Sequence, residues 1–268
     1  MISRDELNQY LANLYQFQDF ADQDFCENGL QVEGKEEIRS IVFGVSFNLP
    51  FLKQTIAKKA DALIVHHGIF QKGVFKLKEP LKQKVKMLLE KEISLFGIHL
   101  PMDAHPELGH NALLLSSISA GQIERFGNGF LAENTGRHKL DRILDIFHNQ
   151  LHTEAVDLGS QNKENAFFSF STVYGFEVLR NGPAIPKKIV VYSGESSDSY
   201  EEAVEKGVDT FFAGEIKERT LPFSYETQTN FVNLGHYFSE KPGVLALKKR
   251  IDEDFDVQTE YIEIPNPV

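Results

Sequence analysis

Cysteine is nearly absent. Cys26 is the only one in 268 residues, so no disulfide can form within the chain. A fold without disulfides suits a reducing compartment, and a cytoplasmic location is expected. A single thiol cannot build a thiolate cage either, so a tightly held metal ion must take its ligands from histidine and carboxylate. Long apolar runs are missing: none approaches the roughly 20 residues of a membrane-spanning helix, and no membrane partner is expected. The opening residues, MISRDELNQYLANLY, are charged and helically patterned rather than signal-like. Positive charge is in deficit, with 28 Lys and Arg against 39 Asp and Glu and a formal net charge of −11. Duplex-binding proteins gain affinity by neutralising phosphates with basic side chains, so this balance argues against a nucleic-acid partner. The short cluster Lys248, Lys249 and Arg250 reads as a solvated helix end. Two motifs are also lacking. GQIERFGNG has glycines but no following Lys-Ser/Thr, so it is not a phosphate loop, and no GxSxG elbow occurs.

What is present is an alternation of strands and helices. Ser3 and Glu6 fit a capping box ahead of Leu7, Leu11 and Leu14 at helical spacing. IRSIVFGVS (38–46) is β-branched and apolar, a strand. Asn48 with Pro50 begins a helix that runs to about Lys59. ADALIVHH (60–67) and ISLFGIHL (93–100) are buried-type strands that end in histidine. PLKQKVKMLLEKEI (80–93) between them places Leu81, Val85, Leu88 and Leu89 on one helical face. This is the pattern of an α/β sheet with parallel neighbours. The Gly- and Asn-rich stretch 120–137 reads as a junction. Beyond it, NAFFSFSTVYGFEVL (165–179) reads as one or two strands broken near Gly175.

A second copy of the first pattern then follows. KKIVVYSGESSDSYEEAVEKGVDTFFAGE (187–215) mirrors RSIVFGVSFNLPFLKQTIAKKADALIVHH (39–67) at a constant offset. Ile41 aligns with Ile189, Lys58 with Lys206, Asp61 with Asp209 and His67 with Glu215. Two generic strand–helix–strand units also look alike, but here both end in a polar, ligand-type residue. The expected fold class is α/β, with two related α/β lobes from an internal duplication and a metal site in the cleft between them. Residues 1–125 with 232–268 are expected to form the first lobe and 126–231 the second.

Three clusters carry the chemistry, each at the end of an apolar strand, where α/β sheets bind ligands. His66 and His67 are adjacent, and Gly68 relaxes the strand alternation that would point them apart. A lone histidine there would simply cap a core strand, but a pair is harder to bury because each ring nitrogen needs a partner. His99 precedes Asp103 in HLPMD, a His-plus-carboxylate mix that suits Zn, Fe or Mn; alone, Asp103 would be a helix cap. His236 and Glu240 in GHYFSE share a face if helical, as metal ligands or as a plain hydrogen-bonded pair. Weaker candidates are His105 and His110 as supporting residues, and Glu215 and Glu218 at a strand end of the second copy. His138, His148 and His152 fall in a polar helical stretch and read as surface residues.

The blocks NGLQVEG (28–34), VHHGIFQKG (65–73), GIHLPMDAHPELGHNA (97–112) and GHYFSEKPGVLAL (235–247) resemble those of the NIF-three-like family, whose bacterial members are called GTP cyclohydrolase 1 type 2 homologs. The resemblance spans nearly the whole chain and its motifs are specific. It implies a dinuclear site on His66, His67, Asp103, His236 and Glu240 that holds two divalent metal ions (Zn, Fe or Mn), with His99 beside them; an imidazole there is expected to shuttle protons near neutral pH as the catalytic residue. It implies that the C-terminal segment returns to the first lobe, that no extra mid-chain domain is inserted, and that the chain forms a toroidal homohexamer. The activity it implies is metal-dependent hydrolysis: ring opening of GTP, or attack on a related nucleotide or small molecule. A metal-binding hexameric scaffold without turnover is the alternative from another class. A nucleic-acid-processing ring is a third, disfavoured by the acidic balance.

Overall fold

Ser3 accepts a hydrogen bond from the Glu6 amide at 3.1 Å and starts the helix Arg4–Tyr15, as the Ser-x-x-Glu spacing predicts. Asn48 does the same for Leu49–Ala57, accepting from the Phe51 amide at 2.9 Å. The computed structural model describes residues 1–70, 76–151, 161–164 and 169–266. His152, residues 71–73 of the histidine block and residues 165–168 of the aromatic block lie outside the described residues.

The chain divides into two compact units, 1–108 with 243–264, and 109–242 with 265–266. The boundaries fall at 108/109 and 242/243, against the expected 125/126 and 231/232. The helix His110–Ser117 sits with the second unit because Asn111, fully buried on it, accepts from the Ser193 amide at 2.7 Å and donates to the Asn128 carbonyl at 3.1 Å.

In the first unit, strands Gln258–Tyr261, Ser40–Ser46, Ala62–His67 and Ser94–Gly97 run parallel in that order, and Gly29–Val32 closes the edge antiparallel. Parallel strands covered on both faces read as continuous apolar runs, which is how Ile41–Val45 and Ala62–Val65 look and why they are buried. Phe51 and Leu52 pack with Val42, Leu63, Val65 and Leu88 in one apolar cluster. The helix Leu81–Lys91 buries Leu88 and partly buries Leu81 and Val85. Leu89, expected on the same face, is exposed: it stands ~100° beyond Leu88 around the helix and falls off the stripe.

The second unit is an eight-stranded mixed sheet. Lys188–Tyr192, Thr210–Ala213 and Asn230–Asn233 are its parallel centre. Antiparallel strands extend both edges, Gly129–Glu133 and Gly121–Phe126 on one side and Phe176–Arg180, Ser169–Val173 and Gln161–Glu164 on the other. The stretch read as a junction is therefore a hairpin, turning at Gly127–Asn128 with Gly127 at φ 58°, a turn composition that also signals a hairpin. The aromatic segment forms two strands, with Tyr174 and Gly175 at the turn. Phe211 stacks on Phe231 at 5.7 Å, and Tyr200 packs on both.

Each unit contains the strand–helix–strand segment read from the sequence, and two hydrogen bonds and one strand pairing recur in both. The Asp61 amide donates to the Ser40 carbonyl, and that of Asp209 to Lys188. The Asp61 carboxylate accepts from the Arg39 amide, and that of Asp209 from Lys187. Ile41 pairs with Ala62, and Ile189 with Thr210. Among the described residues no helix is long and apolar enough to cross a membrane.

Candidate metal centre

In the first unit, the parallel strand Ala62–His67 ends in His66 and His67, and His99 follows Ser94–Gly97 by two residues. Three imidazoles therefore meet at one sheet end. Ring centroids are 4.5 Å apart for His66 and His67, 5.1 Å for His66 and His99, and 5.6 Å for His67 and His99. One ring nitrogen from each lies within 4.8 Å of the others. His66 is buried, and its Nδ1 is 2.8 Å from the Ile98 carbonyl. A carbonyl only accepts, so Nδ1 carries the proton and Nε2 keeps its lone pair, the arrangement seen in metal-binding histidines. Asp103 is also buried, at the end of the short helix Leu100–Asp103, which rules out its reading as the cap of a following helix. Its Oδ2 stands 3.6 Å from His66 Nε2. That is long for a hydrogen bond. Two donors each ~2.1 Å from a tetrahedral ion stand about 3.4 Å apart, so the pair has the spacing that shared ligation needs.

The loop that follows the histidines is held by a side chain the sequence did not flag. Gln31 accepts from the Ile69 amide at 2.7 Å and donates to the Glu27 carbonyl at 2.6 Å. A Cβ at Gly68 or Gly97 would strike the Gln31 amide, so both glycines admit this clamp. Asp24, also unflagged, organises His99. Its Oδ1 accepts from His99 Nδ1 at 2.8 Å, and its Oδ2 accepts from the Leu100 amide at 3.0 Å and from Asn28 at 2.9 Å. Asn28 in turn accepts from the His99 amide at 2.7 Å. His105, by contrast, accepts from the Glu107 and Leu108 amides and caps a turn.

Burial opposes charge on His99, but its hydrogen bonds with Asp24 and Cys26 and the field of Asp103 outweigh it and lift its pKa to about 11. The folded value lies above the ordinary one, so this pairing stabilises the ion-free chain fully below about pH 6.5 and its contribution is lost as pH rises through about 11. In Asp24→Asn, the His99 ring of the ion-free chain is expected to titrate well below its wild-type value by NMR. The loss of stability should be larger at pH 6 than at pH 10. An unchanged His99 titration would contradict the assignment.

In the second unit, His236 begins the short helix His236–Ser239 and Glu240 follows it. His236 Nε2 stands 3.2 Å from Glu240 Oε1, and its Nδ1 2.7 Å from Glu215 Oε1. Glu240 is buried. Burial disfavours charge on His236, but Glu240 and then Glu215 overcome it and raise its pKa to about 9. A cation at this carboxylate–imidazole pair would replace that proton, so binding releases it. Glu215, a weaker candidate from sequence, thus orients the ring. Gly194 takes φ 64°, and a Cβ there would run into the Glu240 carboxylate. The Ser239 hydroxyl accepts from the Gly194 amide at 3.1 Å, fixing that approach.

Each unit thus presents imidazole and carboxylate donors backed by partners that set tautomer and direction, a donor set that fits Zn, Fe or Mn.

The Duf34/NIF3 (NGG1p interacting factor 3) family model matches residues 2–267. Similar curated proteins include the "GTP cyclohydrolase 1 type 2 homolog" of Yersinia pestis, 34% identical over 91% of this chain and 92% of its own. The protein of the same name from Pyrococcus abyssi is 32% identical over 98% and 99%. Among solved structures, protein ybgI matches with a TM-score of 0.83 at 29% identity, covering all of both chains.

Proposed function

Because the chain belongs to the Duf34/NIF3 family, we propose that it is a metal-dependent hydrolase that holds two divalent ions through His66, His67, Asp103, His236 and Glu240 and acts on GTP or a related nucleotide. The observation that carries this reading is the meeting of three imidazoles beside the buried Asp103, with His66 Nδ1 held by the Ile98 carbonyl and its Nε2 facing Asp103. Divalent ions at such donors supply Lewis acidity and lower the pKa of water towards ~7. The chain's own groups do the rest. His66 and Asp103 present fixed donors, Gln31 holds the loop behind them, and His99, anchored by Asp24 through Nδ1, carries the proton that a leaving nitrogen or oxygen requires. The names of the curated relatives support a purine nucleotide as substrate. The matched hydrogen bonds of the two strand–helix–strand segments support a duplicated origin.

Incubating the metal-loaded chain with GTP should release formate, and Glu240→Ala should abolish the release. Intact GTP alongside Glu240-dependent cleavage of a simple phosphodiester would overturn the cyclohydrolase reading. No turnover of either would favour a metal-binding scaffold. A toroidal homohexamer, which the resemblance implies, is part of the same proposal. Light scattering should give six times the chain mass of 30.4 kDa, and a monomer at micromolar concentration would contradict it.

A further inference from the structure

Next to the His236 side of the second unit lies a cavity of about 520 Å³, within the size range of small-molecule sites. Thr172, Glu177, Asn233 and Glu215 are its polar lining, with Ile216, Gly214 and Gly235 beside them. Glu215 is the residue that orients His236, and Gly235 directly precedes it. The cavity therefore adjoins the proposed metal ligands of this unit.

Glu177 and Asn233 face each other across the antiparallel strands Phe176–Arg180 and Asn230–Asn233. Asn233 donates through Nδ2 to Glu177 Oε2 at 2.8 Å and accepts through Oδ1 from the Gly235 amide at 2.9 Å. Both ends of the amide are engaged, so its orientation is set by its partners and the carboxylate is held against the wall. A carboxylate offers about four acceptor positions, of which Asn233 takes one. Among the described residues no lysine or arginine forms an ion pair with Glu177, and none lines the cavity. A wall of two carboxylates, an amide and a hydroxyl without a cation repels phosphate. It suits a neutral ring that offers N–H donors.

We propose that this cavity is the base subsite of the enzyme and that Glu177 is its specificity-determining residue, accepting two adjacent N–H groups from one edge of a heterocycle. A 2-amino-6-oxopurine edge provides this donor pair. Hypoxanthine offers only the ring N–H, and adenine puts an unprotonated ring nitrogen in its place. The phosphates of such a ligand lie outside the cavity. The inference rests on the nucleotide reading of the metal centre and adds how the base is chosen.

The test is calorimetric binding of GTP, ITP and ATP to the metal-loaded full chain and to Glu177→Gln. The wild type should prefer GTP to ITP by about tenfold to a hundredfold, the range for one hydrogen bond to a charged acceptor, and should bind ATP more weakly still. Glu177→Gln, an isosteric change on a partly exposed side chain, should keep its full metal content while the GTP preference collapses. Glu177→Gln binding GTP with wild-type affinity and the same preference over ITP would overturn this inference and leave the nucleotide reading standing. A metal-loaded wild type that binds none of the three would overturn both.

Discussion

Replacing His66 with alanine should reduce bound metal from about two equivalents per chain to one or fewer and remove any metal-dependent turnover. His66 is buried, its Nδ1 is committed to the Ile98 carbonyl, and its Nε2 faces Asp103 at 3.6 Å. His67 and His99 are already placed around it at ring separations of 4.5 and 5.1 Å. The substitution also leaves a gap beside the buried Asp103, and a cavity in a packed interior costs stability. The variant should therefore lose its metal and become less stable. Elemental analysis of the purified variant, read beside a denaturation curve, checks both. Wild-type metal content in His66→Ala would count against the ligand assignment.

A second large effect is expected at a residue with no side chain. Gly194→Ala should lose metal, whereas Gly207→Ala should not. Both glycines have positive φ, 64° and 80°, so alanine is strained at either, by roughly 1–2 kcal/mol. At Gly207 the new Cβ meets nothing within 4 Å, whereas at Gly194 it runs into the carboxylate of Glu240. The two variants share the backbone cost and differ in what happens to a proposed ligand. Glu240 is buried and pairs with His236 Nε2 at 3.2 Å, so displacing its carboxylate also undoes that pair. Comparing the metal content of the two separates the loss of a ligand from general destabilisation. Equal metal content in both would show that Gly194 does not position Glu240.

Much of this was legible in the chain itself, for reasons of range. Ser3, Asn48 and the apolar runs before His66 and His99 act within a few residues, and local pattern reports them faithfully. The clusters His66–His67 and His236–Glu240 are also local. The supporting residues are not. Asp24 reaches His99 across 75 positions and Gln31 reaches Ile69 across 38. Nothing in the neighbourhood of Asp24 or Gln31 announces those contacts, although Gln31 stands in one of the blocks that carry the family resemblance. The hairpin at Gly121–Glu133 was masked by its own composition, since glycine and asparagine mark a tight turn as readily as a linker. The boundary at 108/109 reflects long-range packing of the helix His110–Ser117, such as that of Asn111 with Ser193, 82 positions away.

Donor chemistry alone leaves the identity of the ions open, because the same imidazole and carboxylate set accepts Zn, Fe and Mn. Availability during purification then decides which ion is recovered. The most direct measurement is therefore elemental analysis of the untagged chain purified anaerobically, beside Glu240→Ala prepared in the same way. The account predicts about two equivalents of divalent metal per wild-type chain and a clear loss in the variant. Less than one equivalent in the wild type, unchanged by Glu240→Ala, would contradict it.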